Sequence, residues 1–155
     1  MASERDAGYG RRVMSTTRRE CPLHGAGADP ARLVGRRVRQ VMAAWHARAD
    51  RGATDPVEVW LVDDLGDAIH LTTGSDWCLV VDDAAPHSGY GMGGYGSVEV
   101  APWTHGSPFV PHAGEPVVAV HERFDSETGR VGLKIVFPTG SVEYESWSGD
   151  LRSVG

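Results

Sequence analysis

The most constraining feature of the sequence is a series of short apolar segments that alternate with polar residues at a period of two and end at glycine turns. VEVWLVDD, residues 57–64, leads through Leu65-Gly66-Asp67 into AIHLTTG, residues 68–74. A period of two is typical of strands that bury one face. The 155 residues also include 20 glycines and 9 prolines, which disfavour long helices. We therefore expect a mainly β fold of antiparallel strands.

Other segments share this pattern and are predicted to be strands: DWCLVVDD (76–83), SVEVAPW (97–103), PVVAVHERFD (116–125), VGLKIVFP (131–138) and SVEYESW (141–147). Residues 34–48 are ambiguous, because their apolar residues fit both helical spacing and strand alternation. Intrinsic propensity favours a helix there. Comparison with the second half of the chain favours a strand, and we prefer the strand.

That comparison rests on an internal repeat. A shift of 74 positions lays Val57–Trp77 on Val131–Leu151 without a gap and matches Gly66 with Gly140. The repeat predicts two β-meanders, at about 33–83 and 115–155, joined by a glycine-rich crossover at 84–114. Each meander has an apolar face to bury, so we expect a single domain, 31–155, folded as a sandwich or a small barrel.

Residues 1–30 are rich in small and polar residues and are expected to form a disordered or loosely attached leader, in which Met14 is an alternative start to Met1. The formal net charge of -6 argues against nucleic-acid or anionic-membrane partners. No apolar run approaches the length of a membrane span. Two cysteines, Cys21 and Cys78, fit free thiols in a reducing compartment, so a cytoplasmic location is expected.

PHSGYGMGGYGS, residues 86–97, contains a formal GxGxxG at 89–94. A strand-like segment follows it instead of a helix, so dinucleotide binding is not favoured. Three roles stay open for its side chains: covering one end of the fold, contacting a partner protein, or closing over a ligand. The candidate binding residues are His87, Tyr90, Met92, Tyr95, Trp103 and Glu143.

Motifs for catalysis or metal binding are lacking. The histidines show neither H-x-H nor HExxH spacing, and Cys21-Pro22-Leu23-His24 has no second pair of ligands. Glu143 and Glu145 lie on one strand face, where they could act as an acid and base pair or simply face solvent. We predict no metal and no cofactor.

EVWLVDDLGDAIHLTTGSDWCLVVDD and GLKIVFPTGSVEYESW resemble segments of small β-rich proteins from high-GC actinobacteria, over roughly residues 33–154. The resemblance implies an immunity-protein-like role, since some compact acidic proteins of this kind neutralise toxins. Others of similar size serve biosynthetic clusters. No site residue is implied by the resemblance.

Two function classes follow. The first is a non-catalytic binding protein, such as a toxin-neutralising immunity protein or a regulatory partner; it would bind a protein partner, and the acidic charge favours a basic one. The second is a small β-barrel enzyme, a cyclase or isomerase, that holds a small molecule in an apolar pocket and uses His87, Tyr90 and Glu143.

Overall fold

The computed structural model describes residues 20–21, 25–47 and 55–154. Ten strands follow one another along the chain: β1 Val38–Ala47, β2 Glu58–Asp63, β3 Ala68–Thr73, β4 Leu79–Asp82, β5 Tyr90–Gly91, β6 Ser97–Pro102, β7 Ala119–Asp125, β8 Gly129–Phe137, β9 Gly140–Trp147 and β10 Asp150–Val154. Short 3-10 turns lie at Pro30–Leu33, Gly93–Tyr95 and Val110–His112. Within these residues no helix has the length and apolarity needed to cross a membrane.

The strands form two antiparallel sheets. The larger sheet has the order β4-β3-β2-β1-β6-β5, and the smaller has the order β10-β9-β8-β7. The two sheets pack face to face as a sandwich, and they are not joined into a closed barrel. The prediction of a mainly β sandwich is therefore confirmed, and the barrel alternative is wrong.

The ambiguous segment 34–48 contains strand β1 and not a helix. β1 lies between β2 and β6 and is hydrogen-bonded to both. Its Ala43 pairs with the core residue Val59, whereas Ala44 is buried on the opposite face of the sheet. Partners on both edges and burial on both faces explain why tertiary context outweighs the helical propensity of this segment. Residue 48 lies outside the described part of the chain.

The predicted meanders correspond to β1–β4 and to β7–β10, but the gapless repeat is not shown. Val59 pairs with Leu71 in the first hairpin, and Leu133 pairs with Tyr144 in the second. A 74-residue offset would pair Leu133 with Glu145. The pairing register of the returning strand therefore differs by one residue between the two hairpins. A shift of one residue in register exchanges the two faces of a strand. In the predicted crossover, residues 90–91 and 97–102 belong to the larger sheet as β5 and β6.

The main core lies between the two sheets. Alternate residues of both sheets point into it, as period-two patterning requires. Its buried members are Leu33, Val59, Leu61, Ile69, Leu71, Leu79, Val81, Phe109, Val117, Leu133, Ile135, Phe137, Val142, Tyr144 and Leu151. A smaller cluster of Ala44, Trp60 and Val98 lies on the opposite face of the larger sheet, with Met42 and Val100 packed against it.

Cys21 and Cys78 form a disulfide, which corrects the expectation of free thiols. Both cysteines are buried, and 57 positions separate them in the sequence. The backbone N–H of Ala28 also donates to the Val81 carbonyl at 2.8 Å. Residues 21 and 28 of the predicted leader are thus attached to the region of β4. Met14 and His24 lie outside the described residues.

Candidate functional site

The glycine-rich segment, residues 86–97, crosses the outer face of the larger sheet. The outer face carries the side chains that alternate with the core residues of β2, β3 and β4. Trp60 is paired with His70, and His70 with Asp82, so the three residues form a row across these strands. We call the group of Glu58, Trp60, His70, Asp82 and His87 the histidine cluster.

His70 lies between two carboxylates. Its Nδ1 is 2.8 Å from an oxygen of Asp82, and its Nε2 is 2.8 Å from an oxygen of Glu58. An ionised carboxylate only accepts hydrogen bonds, so the protonated ring, in which both nitrogens donate, is the form of His70 that satisfies both contacts. Burial alone lowers the pKa of His70, but the hydrogen bonds to Glu58 and Asp82 outweigh burial and raise the pKa above its ordinary value.

His87 joins the glycine-rich segment to this pair. Its Nδ1 donates to the Ser88 carbonyl at 2.6 Å, and its Nε2 donates to the second oxygen of Glu58 at 2.9 Å. The carbonyl of Ser88 and then Glu58 raise the pKa of His87. The hydrogen bond from His70, followed by that from His87, lowers the pKa of Glu58 although burial opposes this effect.

Trp60 forms the floor of the cluster. Its ring is fully buried and stacks on His70, with centroids 4.8 Å apart and planes inclined by 14°. The His87 ring meets Trp60 edge-on at 5.2 Å, and Tyr90 lies 5.7 Å beyond His87. The indole N–H of Trp60 is buried without a hydrogen-bond partner among the described residues.

The chemistry of the histidine cluster favours a structural role, the attachment of the glycine-rich segment to the larger sheet, over a catalytic one. Both nitrogens of each imidazole already donate, and both oxygens of Glu58 already accept. A general base needs a free lone pair directed at its substrate, and the protonated form of each ring, which these contacts favour, has none. The cluster therefore fastens the glycine-rich segment to the outer face of the larger sheet.

The structure brings together two of the six candidate binding residues, His87 and Tyr90. Met92 and Tyr95 follow on the same segment with exposed side chains, 37% and 71% accessible. Trp103 lies apart from them, in a cavity at the edge of the sandwich. Glu143 lies on β9, where its neighbours Val142 and Tyr144 are buried in the core. Glu143 thus faces away from the core on the smaller sheet, on the opposite side of the sandwich from His87.

Sequence reasoning missed Glu58, Trp60, His70 and Asp82. The signal was present in part, because His70 lies between the core residues Ile69 and Leu71 and must therefore point to the other face of its strand. A histidine at the centre of an otherwise apolar strand indicates a polar partner on a neighbouring strand. The identity of that partner depends on strand register.

A second site is the cavity of about 590 Å³ at the edge of the sandwich, which we call the edge cavity. It lies between β1, the connection that follows β6, and the end of β8. Its lining is mainly apolar and aromatic and includes Trp103; the lining residues are Val38, Arg39, Gln40, Val41, Pro102, Trp103, Thr104, Ser107, Phe109, Val110, His112, Ala113 and Phe137.

Two buried polar side chains of the edge cavity, Ser107 and His112, are hydrogen-bonded to other residues of the fold. The Ser107 hydroxyl accepts a hydrogen bond from the Phe109 N–H at 3.2 Å. The Nδ1 of His112 lies 3.1 Å from Glu115 and 3.2 Å from the Thr139 hydroxyl. The His112 ring stacks on a cavity phenylalanine at 4.6 Å. No hydrogen bond joins Ser107 to His112 among the described residues, so this pair does not form an activated serine.

A smaller cavity of about 280 Å³ adjoins the disulfide and is lined in part by Glu122 and Arg130. Arg130 donates to Glu122 and to the Ala26 carbonyl, each at 2.9 Å. Cys21, Asp76 and Cys78 place potential metal ligands close together nearby. Their two sulfurs are bonded to each other, so neither is available as the thiolate that a metal requires.

Comparison with known proteins identifies no family: no protein-family model, curated protein or solved structure matches the chain. The resemblance to small actinobacterial proteins stays a prediction. The two features that bear on function are the edge cavity and the exposed surface of the glycine-rich segment.

Proposed function

We propose that the protein is a non-catalytic binding protein that holds a small, largely apolar molecule in the edge cavity. The observation that carries this proposal is the cavity itself. Its volume of about 590 Å³ lies within the range typical of ligand sites, roughly 300–1,000 Å³. Trp103, Phe109 and Phe137 supply aromatic contact area, and Val41 supplies aliphatic area.

The physical driving force is burial of ligand surface. Each buried methylene contributes about 0.8 kcal/mol, so six of them contribute about 5 kcal/mol before the entropic costs of binding. Aromatic walls of fixed geometry keep those costs small, since Phe109 and Phe137 already hold each other edge-on with centroids 6.2 Å apart.

The enzyme alternative has less support. A cyclase or isomerase that used His87, Tyr90 and Glu143 would need the three side chains at one pocket, and Glu143 lies on the opposite side of the sandwich. Among the described residues, Tyr90 and Tyr95 line neither the edge cavity nor the smaller cavity beside the disulfide. The buried polar side chains of the edge cavity, Ser107 and His112, are hydrogen-bonded to other residues and not to each other among the described residues.

Isothermal titration with two neutral probes, 1-decanol and 1-naphthol, tests the proposal. We expect binding of at least one probe, and a loss of about tenfold or more in affinity in Val41→Phe, which fills the cavity. Val118→Phe makes the same substitution at an exposed residue outside the cavity and is expected to bind like the wild type. Ala113→Trp, which places a large side chain on an exposed lining residue, is a second blocking variant if Val41→Phe unfolds. Absence of binding by both probes, and by anionic and cationic probes of the same chain length as 1-decanol, would rule the proposal out.

A protein partner is the second candidate function, and the exposed aromatic side chains of the glycine-rich segment favour it. Tyr90 and Tyr95 are 53% and 71% exposed, and Met92 lies between them. Aromatic residues and methionine are enriched at interfaces. The net charge of -6 suits a basic partner. A toxin-neutralising immunity protein or a regulatory partner is the narrower form of this proposal.

The two candidates respond to different variants. A Tyr90→Ser, Tyr95→Ser double variant is expected to lose affinity for a basic partner and to retain binding of 1-decanol. Equal recovery of a partner by the wild type and the double variant in a pull-down at physiological salt would count against this surface.

The cellular location of the protein and the classes of partner that it does not bind are also proposals. The acidic charge supports the absence of nucleic-acid and membrane partners. The disulfide between Cys21 and Cys78 is typical of proteins that mature in an oxidising compartment, so it weakens the cytoplasmic location expected from the sequence.

A further inference from the structure

Arg39 occupies an unusual place in β1. Val38 pairs with Asp63 and Gln40 with Val62, so Arg39 is the extra residue of a β-bulge. Bulges redirect a side chain relative to the regular alternation and are frequent next to binding and active sites. Arg39 is exposed and also belongs to the lining of the edge cavity, which places it at the mouth.

The charge of Arg39 is not neutralised by any described residue. The nearby Arg36 lies within 4.0 Å of Asp63, and Arg37 donates to the Gly114 carbonyl. The side chain of Arg39 has neither a hydrogen bond nor an ion pair with any of residues 20–21, 25–47 and 55–154. The described residues that line the cavity include no carboxylate, although acidic residues outnumber basic ones in the chain by 21 to 15. Across the described part of the chain, the mouth of an apolar cavity thus carries a guanidinium without a counter-ion.

Two neighbours add hydrogen-bonding capacity at the same site. Gln40 follows Arg39 in β1, and Thr104 lies on the connection after β6, next to Trp103, whose backbone N–H donates to the Val41 carbonyl at 2.8 Å; Gln40 and Thr104 both line the cavity. A guanidinium presents a planar fork of N–H donors that matches the two oxygens of a carboxylate. The arrangement therefore combines an apolar interior with a polar, positively charged rim.

We infer that the ligand of the edge cavity is an amphipathic monocarboxylate, with its apolar body inside the cavity and its carboxylate paired with Arg39. This inference rests on the proposed function, because it names the chemical class of the molecule that the cavity binds. The apolar body supplies affinity, and Arg39 selects an anion over a neutral or cationic molecule of the same shape.

The test compares three probes that share one chain and differ in head group: decanoate, 1-decanol and decylamine, titrated calorimetrically at neutral pH below the onset of micelles. The readout is the affinity for decanoate relative to 1-decanol. In the wild type we expect decanoate to bind most tightly and decylamine least tightly. In Arg39→Gln the ratio is expected to fall about threefold to fivefold, since the ion pair is partly exposed. Arg39→Lys is expected to retain part of the preference.

Arg32→Gln is the matched control, because Arg32 is exposed and lies outside the cavity, 3.9 Å from Asp83. It is expected to leave the ratio unchanged. Added salt is expected to weaken decanoate binding and to leave 1-decanol binding unaffected. An equal ratio in the wild type and Arg39→Gln would overturn the inference while leaving the proposed function intact. Failure of all three probes and of 1-naphthol to bind would instead overturn the proposed function.

Discussion

The Nε2 atom of His87 lies 2.9 Å from a carboxylate oxygen of Glu58, and this contact joins the glycine-rich segment to the centre of the larger sheet. The other oxygen of Glu58 accepts from His70, which is in turn hydrogen-bonded to Asp82. A single carboxylate thus links a long loop to two neighbouring strands. Both the attachment of the loop and the pH dependence of stability follow from this link.

Removing the charge of Glu58 is expected to loosen the glycine-rich segment. Glu58→Gln replaces one accepting oxygen by an amide donor, which cannot accept from both imidazolium rings. We expect faster hydrogen exchange of the backbone amides in residues 87–96, with little change in β8 and β9. Glu99→Gln, an exposed substitution on β6, is the control. Equal exchange in the two variants would show that the contact does not hold the segment.

The histidine cluster is expected to make stability depend on pH. The pKa values of His70 and His87 are raised above 6.5, so their contribution is complete below that pH and is lost as pH rises through the raised values. The pKa of Glu58 is lowered from 4.5, so its contribution is present above 4.5 and is lost as pH falls through the lowered value. The cluster therefore stabilises the fold most between pH 4.5 and 6.5.

Denaturant unfolding of the wild type and of His70→Gln across this range and above it measures the effect. His70 is buried, and loss of its two charged hydrogen bonds is expected to cost about 2–3 kcal/mol within the window. The difference between the two proteins is expected to shrink as pH rises above 6.5. A difference that stays constant with pH would contradict the charged state assigned to His70.

Two glycines of the glycine-rich segment are expected to differ sharply in how well they tolerate substitution by alanine. A Cβ atom at Gly89 would lie 2.4 Å from the Val98 carbonyl oxygen, whereas a Cβ atom at Gly91 would meet nothing within 4 Å. Gly89→Ala forces β5 away from β6 and is expected to cost about 1–3 kcal/mol of unfolding free energy. Gly91→Ala is expected to be neutral or slightly stabilising. Thermal unfolding of the two variants side by side checks the contrast, and similar losses in both would refute it.

The disulfide is expected to make a large contribution to stability. Closure of a loop of 57 residues corresponds to about 4 kcal/mol in the chain-entropy account. We expect reduction, or the Cys21→Ser, Cys78→Ser double change, to lower the midpoint of thermal unfolding markedly. Mass spectrometry of the alkylated, unreduced protein measures the bond directly. Two alkylated cysteines in protein matured under oxidising conditions would show that the thiols stay free.

The secondary structure was predictable to the extent that it depends on local pattern. Period-two alternation located β2, β3, β8 and β9 to within a few residues, because the residues of these strands that face the main core recur at every second position. β10 and the two-residue β5 were missed. β5 is glycine-rich and has no alternation, and Leu151 is the one buried residue of β10, so neither strand carries the pattern that prediction uses.

The residues that the glycine-rich segment contributes to the candidate site could be predicted from the sequence, whereas the residues that the strands contribute could not. The composition of the glycine-rich segment is sufficient to single out His87 and Tyr90 as candidates. Trp103 was also identified as a candidate, and it does line the edge cavity, but nothing local indicated Arg39 or Phe137 as its neighbours there. These neighbours come from strands that are distant in the sequence, so only the packing of the sheets brings them to Trp103.

The alternation of apolar residues and the glycine turns follow from the sequence alone, and together they predict an antiparallel β protein with two meanders. Tertiary structure decided the rest: the pairing of Cys21 with Cys78, the register that places His70 between Glu58 and Asp82, and the bulge that directs Arg39 to the edge cavity. The physical reason is that alternation specifies which face of a strand is buried but not which residue lies opposite. Cross-strand register depends on the packing of both sheets together, and it is register that brings distant polar groups into contact.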